Sequence, residues 1–165
     1  RAIETAALLH DIGKLDSSFH SILNKDDKLT NEEWQLVKQH PQRGVDMVQP
    51  IRSLDSRVHS YIMHHHEHYD GSGYPDGLAA DSIPIGARVI MVADTIDAMV
   101  TARPYRDRID PQIVREELRD KAGDQFDPEL VKVALEIDLP QKMAKAAHNQ
   151  IRGESEQNMS IDGSL

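Results

Sequence analysis

Three groups of residues in this sequence carry chemistry. The first is His10-Asp11-Ile12-Gly13-Lys14. His10 follows Ile3 by seven residues, two helical turns, so it shares a face with apolar positions and should point inward. A lone histidine there reads as a satisfied core residue. An adjacent carboxylate and a lysine one turn later change that reading, because buried charge needs a partner and a metal ion is one. The second group is His64-His65-His66-Glu67-His68, at the end of an apolar helix and leading straight into a glycine-rich stretch. Alone it would fit a surface tract equally well. His40, followed by Pro41, is a weaker candidate, since such histidines are common at helix ends. The third group is Asp94 and Asp97, one turn apart in the apolar segment from Pro84 to Thr101. There Ile85, Val89, Val92, Ile96 and Met99 form one stripe, and Ile90, Met91 and Ala98 extend it. A helix apolar nearly all round is buried, so its carboxylates are either hydrogen-bonded structural groups or ligands.

Together these groups supply imidazole and carboxylate with no sulfur. That set suits iron, manganese, cobalt, nickel or zinc, and mixed nitrogen–oxygen sites with bridging carboxylates often hold two ions. Two ions about 3.5–4 Å apart activate a hydroxide and stabilise phosphoryl transfer. Lys14, Arg103 and Arg106 would add cationic contacts to phosphate oxygens.

The elements that must position these groups read as helices. Ile3, Ala6, Ala7, Leu9 and His10 fall at helical spacing, and Gly13 ends that helix. Thr30 with Glu33 makes a capping box, and Pro41 suits a first helical turn. A helix from about Ser53 to His65 carries Leu54, Val58, Tyr61 and Ile62. Residues 67 to 82, with Gly71, Gly73 and Gly77, form a long irregular loop of the kind that is usually functional. Asp110-Pro111 and Asp127-Pro128 each set a capping residue before a helix-starting proline. From about Arg152 the chain turns polar and should be a disordered tail.

The 165 residues fit one domain, 1–150, with 151–165 as the tail. Aromatics are only 4%, so aliphatic side chains fill the core. The absence of cysteine excludes disulfides and thiolate zinc, in keeping with a cytoplasmic setting. A net charge of −9 argues against DNA as a partner, and no run is apolar enough to span a bilayer. The chain opens at Arg1 already inside a helical pattern, as a piece of something longer would.

In order along the chain, His10-Asp11-Ile12-Gly13-Lys14, His65-His66-Glu67-His68-Tyr69-Asp70-Gly71-Ser72-Gly73-Tyr74-Pro75, Ile83-Pro84 through Asp94, Asp97-Ala98-Met99 and Arg103-Pro104-Tyr105-Arg106 resemble an HD-GYP domain. The resemblance runs from about Ala6 to Leu130. It implies an all-α HD-superfamily bundle of about seven or eight helices around a metal site. It also implies a bacterial phosphodiesterase that cleaves cyclic di-GMP to pGpG or GMP. Matched by position, His10, Asp11, His40, His65, His66 and Asp94 would be metal ligands, with Asp11 bridging two divalent ions, most often iron or manganese. Lys14 would lie near the scissile phosphate, so Asp11 and Lys14 would be the catalytic pair. Gly73, Tyr74 and Pro75 match the signature loop beside the substrate, and Arg103 and Arg106 match phosphate contacts.

The family usually draws one further histidine ligand from a helix before the His-Asp pair, which this chain begins too late to contain. The stretch Leu15 to His20 is one residue longer than usual and lacks its proline. It places His20 near a position where some members hold a third ion. The resemblance further implies an N-terminal sensory or receiver domain in the full-length protein, and it allows a homodimer. Two other readings stand beside it. One is an HD phosphohydrolase acting on another nucleotide, which leaves the Gly-Tyr-Pro block unexplained. The other is a non-catalytic HD-GYP domain that binds metal or ligand without turnover.

Overall fold

A computed structural model describes residues 1–23, 25, 27–101 and 108–149. Arg103, Arg106 and the tail expected at 151–165 lie outside the described residues. The chain divides into two compact units, Arg1–Met91 with Gly123–Asp127, and Val92–Ala122 with Pro128–Leu165. Every regular element among the described residues is helical, which agrees with the all-α expectation. No helix among them is long and apolar enough to cross a membrane.

The first unit is built on α1 (Ala2–Leu9), α4 (His40–Val48) and α5 (Ser56–His64), with α2 (His20–Leu23) and α3 (Asn31–Val37) between α1 and α4 in sequence. Ala6, Val48, Val58, Tyr61, Ile62 and Ile90 form its main core, and Ile3, Leu9 and Ile12 pack against them. Phe19, Ile22 and Val37 make a smaller second cluster. The local signals act as expected at α3, where the Thr30 hydroxyl accepts from Glu33 N and the Glu33 carboxylate accepts from Thr30 N. Pro41 sits in the first turn of α4. α5 starts later than expected, because Asp55 is its cap and accepts from Arg57 N, leaving Leu54 outside the helix.

Gly13 does something other than end α1. The helix stops at Leu9, and a 3₁₀ turn, Ile12–Leu15, follows. A Cβ on Gly13 would lie 2.0 Å from His40 O and 2.6 Å from Gly44 N, so its hydrogen lets this turn rest on the backbone of α4. Those neighbours are main-chain atoms that cannot swing away. Gly13→Ala should therefore destabilise the fold by about 3 kcal/mol, the upper part of the overpacking range. Thermal melting of the variant checks this, and an unchanged midpoint would mean the turn can lift from α4 at no cost.

α6 (Ile85–Val100) carries residues of both units. The expectation that it is buried all round is corrected. Ile85 is 46% exposed, and Asp97 is exposed with its carboxylate accepting from Thr101 Oγ1 at 3.2 Å. The stripe predicted burial correctly at Val92 and Ile96 but over-extended it at the helix start. In the second unit, Asp110 caps α7 (Pro111–Asp120) by accepting from Gln112 N at 2.8 Å. Val114 and Leu118 on α7, and Val131 and Ala134 on α8 (Pro128–Glu136), are buried. Arg115 pairs with Asp138, ahead of a further helical run at 139–149.

Candidate metal centre

Three histidines stand at helix ends and use the same local device. The last carbonyls of a helix lack an intrahelical donor. His10, just past α1, places Nδ1 2.7 Å from Ala7 O. His40, after α3, places Nδ1 2.8 Å from Val37 O, and His65, just past α5, places Nδ1 2.6 Å from Ile62 O. A carbonyl oxygen only accepts, so each Nδ1 carries a proton, and in the neutral ring Nε2 is the atom with the lone pair.

Those lone pairs converge. His40 Nε2 lies 3.2 Å from His65 Nε2 and 3.2 Å from Asp11 Oδ1, and His65 Nε2 lies 3.8 Å from the same oxygen. His10 Nε2 is 3.6 Å from Asp11 Oδ2. Acceptors set this close repel one another unless a cation sits among them. Donors held about 2.1 Å from one ion stand roughly 3.0–3.4 Å apart, which is the spacing of His40 Nε2 from His65 Nε2 and from Asp11 Oδ1. Asp11, His40, His65 and His66 each offer a ligand atom, all within 4.8 Å of one another. The donor set and its spacing fit a divalent metal, with carbonyl-bonded imidazoles as the usual second layer of support.

Electrostatics keep these donors in their binding forms. Burial works to raise the Asp11 pKa, but the Lys14 ammonium, which donates to Asp11 Oδ2 at 2.7 Å, outweighs it and holds the carboxyl far below the usual carboxylate range. Burial pushes His65 down to about 4, and burial with the neighbouring His65 and His40 pushes His66 to about 2. Both are neutral at pH 7.

A stability prediction follows for the metal-free chain. An unfolded histidine titrates near 6.5, so between pH 6.5 and 4 the unfolded chain binds a proton at position 65 that the folded chain refuses. Stability is full above 6.5 and falls as pH drops through that window, by about 2 kcal/mol at pH 5 from His65 alone. Melting midpoints measured from pH 7.5 to 5 in the presence of chelator should decline. A flat profile would contradict the buried neutral imidazole.

The glycine-rich loop closes on this cluster. Glu67 is only 2% exposed and accepts from the backbone N–H groups of Asp76, Gly77 and Leu78, at 2.7, 3.1 and 3.1 Å. One carboxylate thus gathers the turn after Pro75. A Cβ on Gly73 would lie 2.2 Å from His68 N, so only glycine lets the loop cross back there. The next residue, Tyr74, donates its backbone N–H to His66 O at 3.1 Å and stacks on the His66 ring, centroids 4.9 Å apart and planes at 21°.

Of the residues singled out by sequence, Asp11, His40, His65 and His66 come together, and His10 borders them. Within the histidine run, His64 turns to Ser60 O and Asp76, and His68 to Ser72 Oγ. Lys14 rests on Asp11 Oδ2. His20 is exposed at the start of α2, and Asp94 is half-buried on α6 in the second unit. Sequence reasoning gave no role to Glu67, Trp34 or Lys38. For Glu67 the available signal was an acidic residue heading a loop that needs donors gathered.

Helix-end imidazoles and an aspartate gathered on an all-helical frame define a histidine–aspartate metal domain. The model of the HD domain matches residues 1–130, and the chain belongs to that family. It is 41% identical over 136 residues to the cyclic di-GMP phosphodiesterase response regulator RpfG of Xanthomonas campestris, covering 82% of this chain and 36% of that protein. It is 36% identical over 165 residues to a cyclic di-GMP phosphodiesterase of Thermotoga maritima, covering 98% and 42%. It is 39% identical over 135 residues to 3′3′-cGAMP-specific phosphodiesterase 2 of Vibrio cholerae, covering 81% and 26%. A solved cyclic GMP-AMP-specific phosphodiesterase of Vibrio cholerae shares the fold at TM-score 0.59 and 19% identity, over 86% of this chain and 42% of that one. The chain therefore spans less than half the length of each.

Proposed function

We propose that this chain is the hydrolytic part of an HD-GYP phosphodiesterase that opens cyclic di-GMP to pGpG or GMP. The observation that carries the reading is the Asp11, His40, His65 and His66 group with Tyr74 of the Gly-Tyr-Pro loop stacked on its edge. The names of the relatives point to a cyclic dinucleotide as substrate.

Two divalent ions, iron or manganese, are the proposed cofactors, held by His10, Asp11, His40, His65, His66 and Asp94. Bound there, they would supply Lewis acidity and an acidified water for attack at phosphorus. The chain's own residues do the rest. Asp11, anionic at neutral pH, contributes the negative charge among neutral imidazoles. Lys14 offsets charge on the phosphate oxygens, with Arg103 and Arg106 as further phosphate contacts. Tyr74 fixes the His66 ring and walls the site on that side.

The test supplies manganese or iron to purified protein and follows cyclic di-GMP by chromatography, with 3′3′-cGAMP in parallel. Linear product that disappears with chelator supports the reading. Bound metal without turnover of either substrate would favour the non-catalytic alternative.

A further inference from the structure

Lys38 follows α3 at the edge of the site, and its position is unusual for this protein. The chain has a net charge of −9, yet among the described residues the Lys38 ammonium meets no carboxylate. It sits instead over two rings, 5.3 Å from the centroid of Tyr74 and 5.9 Å from that of Trp34. The two rings meet edge to face, centroids 6.5 Å apart and planes at 77°. Trp34 is 43% exposed. Tyr74 in turn stacks on His66, so the indole lies two ring contacts from the ligand group. An exposed indole is wasteful for folding. A cation with donors to spare beside it is the pairing that recognises a base carrying acceptors.

We propose that Trp34 and Lys38, together with Tyr74, form the seat of one guanine base of the substrate, and that Lys38 selects guanine over adenine. The proposal rests on the cyclic dinucleotide reading above and names a specificity device within it. Every base has a face that stacks on an indole, so Trp34 supplies affinity without selectivity. Selectivity comes from the acceptor pattern. Guanine presents O6 and N7, both acceptors, which a lysine ammonium can engage together. Adenine presents N7 beside an amino group, whose hydrogens face the ammonium unfavourably. Tyr74 stacks on the His66 ring, so a base seated here lies beside the ligand group that its phosphate must reach. The bland reading is that Lys38 only packs on its own aromatic neighbours, a cation–π contact of surface strength.

Trp34 is the single tryptophan of the chain, so its emission reports the site directly. The manganese-loaded chain is titrated with hydrolysis-resistant bis-phosphorothioate analogues of cyclic di-GMP and cyclic di-AMP, by calorimetry and by tryptophan fluorescence together. Quenching of Trp34 that tracks the calorimetric isotherm is expected, with the guanine analogue bound at least tenfold more tightly. Trp34→Leu should weaken both analogues about tenfold, while Trp34→Phe keeps most of the affinity. Lys38→Gln should weaken the guanine analogue about tenfold and leave the adenine analogue within twofold, collapsing the discrimination. Matched melting curves and metal contents establish that the variants are folded. Binding seen by calorimetry without any change in emission would overturn the base seat while leaving the hydrolase reading intact. Equal loss of both analogues in Lys38→Gln would overturn the selectivity. No binding of either analogue would overturn both readings.

Discussion

Asp11→Ala should strip the protein of most of its metal and abolish turnover. Asp11 is the one carboxylate in the group it forms with His40, His65 and His66, and it is held ionised. Its Oδ1 lies 3.2 Å from His40 Nε2, and its Oδ2 takes the Lys14 ammonium at 2.7 Å. Removing it deletes a ligand and also leaves the Lys14 cation beside the site with no anion to balance it. Loss of an outer hydrogen-bond partner of a metal ligand costs about 10–100-fold in affinity, so loss of a direct anionic ligand should exceed a hundredfold. Asp11→Asn separates charge from shape, since it keeps the oxygen but removes the negative charge, and should fall between wild type and Ala. Elemental analysis after dialysis reads the outcome. Metal content equal to wild type in Asp11→Ala would remove Asp11 from the site, and with it the bridging role that the family resemblance implies.

The sequence made the local geometry legible and left the tertiary choices open. Thr30 with Glu33, Pro41 and Asp110 marked helix starts because a cap is a contact between residues two or three apart. Asp11 with the 64–68 histidines stood out as a metal set by residue type. Which histidines of that run turn inward was readable only through the family resemblance and not from residue type, because it depends on α5 ending at His64 and releasing His65 and His66 into the turn. His40 was undervalued for a related reason. Its neighbour Pro41 explained it locally, whereas its 1% exposure comes from α4 packing against the Ile12–Leu15 turn and α5. Gly13 was assigned to a helix end when its function is a close approach to a backbone 27 residues away. Asp97 was placed inside by extending a stripe round a helix whose outer face meets solvent. Trp34 and Lys38 carried no signal, since a helical tryptophan reads as core until its neighbours are known.

Lys14→Ala should lower kcat about a hundredfold while changing KM by less than about threefold, with metal content unchanged. Lys14 lies in the Ile12–Leu15 turn, its side chain 30% exposed and its ammonium on Asp11 Oδ2. That contact anchors a positive charge at the rim of the ligand group without burying it. The phosphate of a bound dinucleotide carries charge in the ground state and more on its equatorial oxygens as the attacking oxygen adds. A fixed cation therefore binds the transition state better than the substrate, and its loss appears in kcat rather than in KM. A hundredfold corresponds to about 2.7 kcal/mol, the size measured for single preorganised groups that stabilise developing oxyanions. Lys14→Arg should recover part of the rate, because charge is restored with a different reach. The competing role is purely local, with Lys14 serving to hold Asp11 in place. That role predicts a different pattern, in which metal affinity falls in Lys14→Ala and saturating metal restores kcat. Steady-state hydrolysis at matched, saturating metal distinguishes them, and an unchanged kcat in the fully metallated variant would refute the phosphate contact.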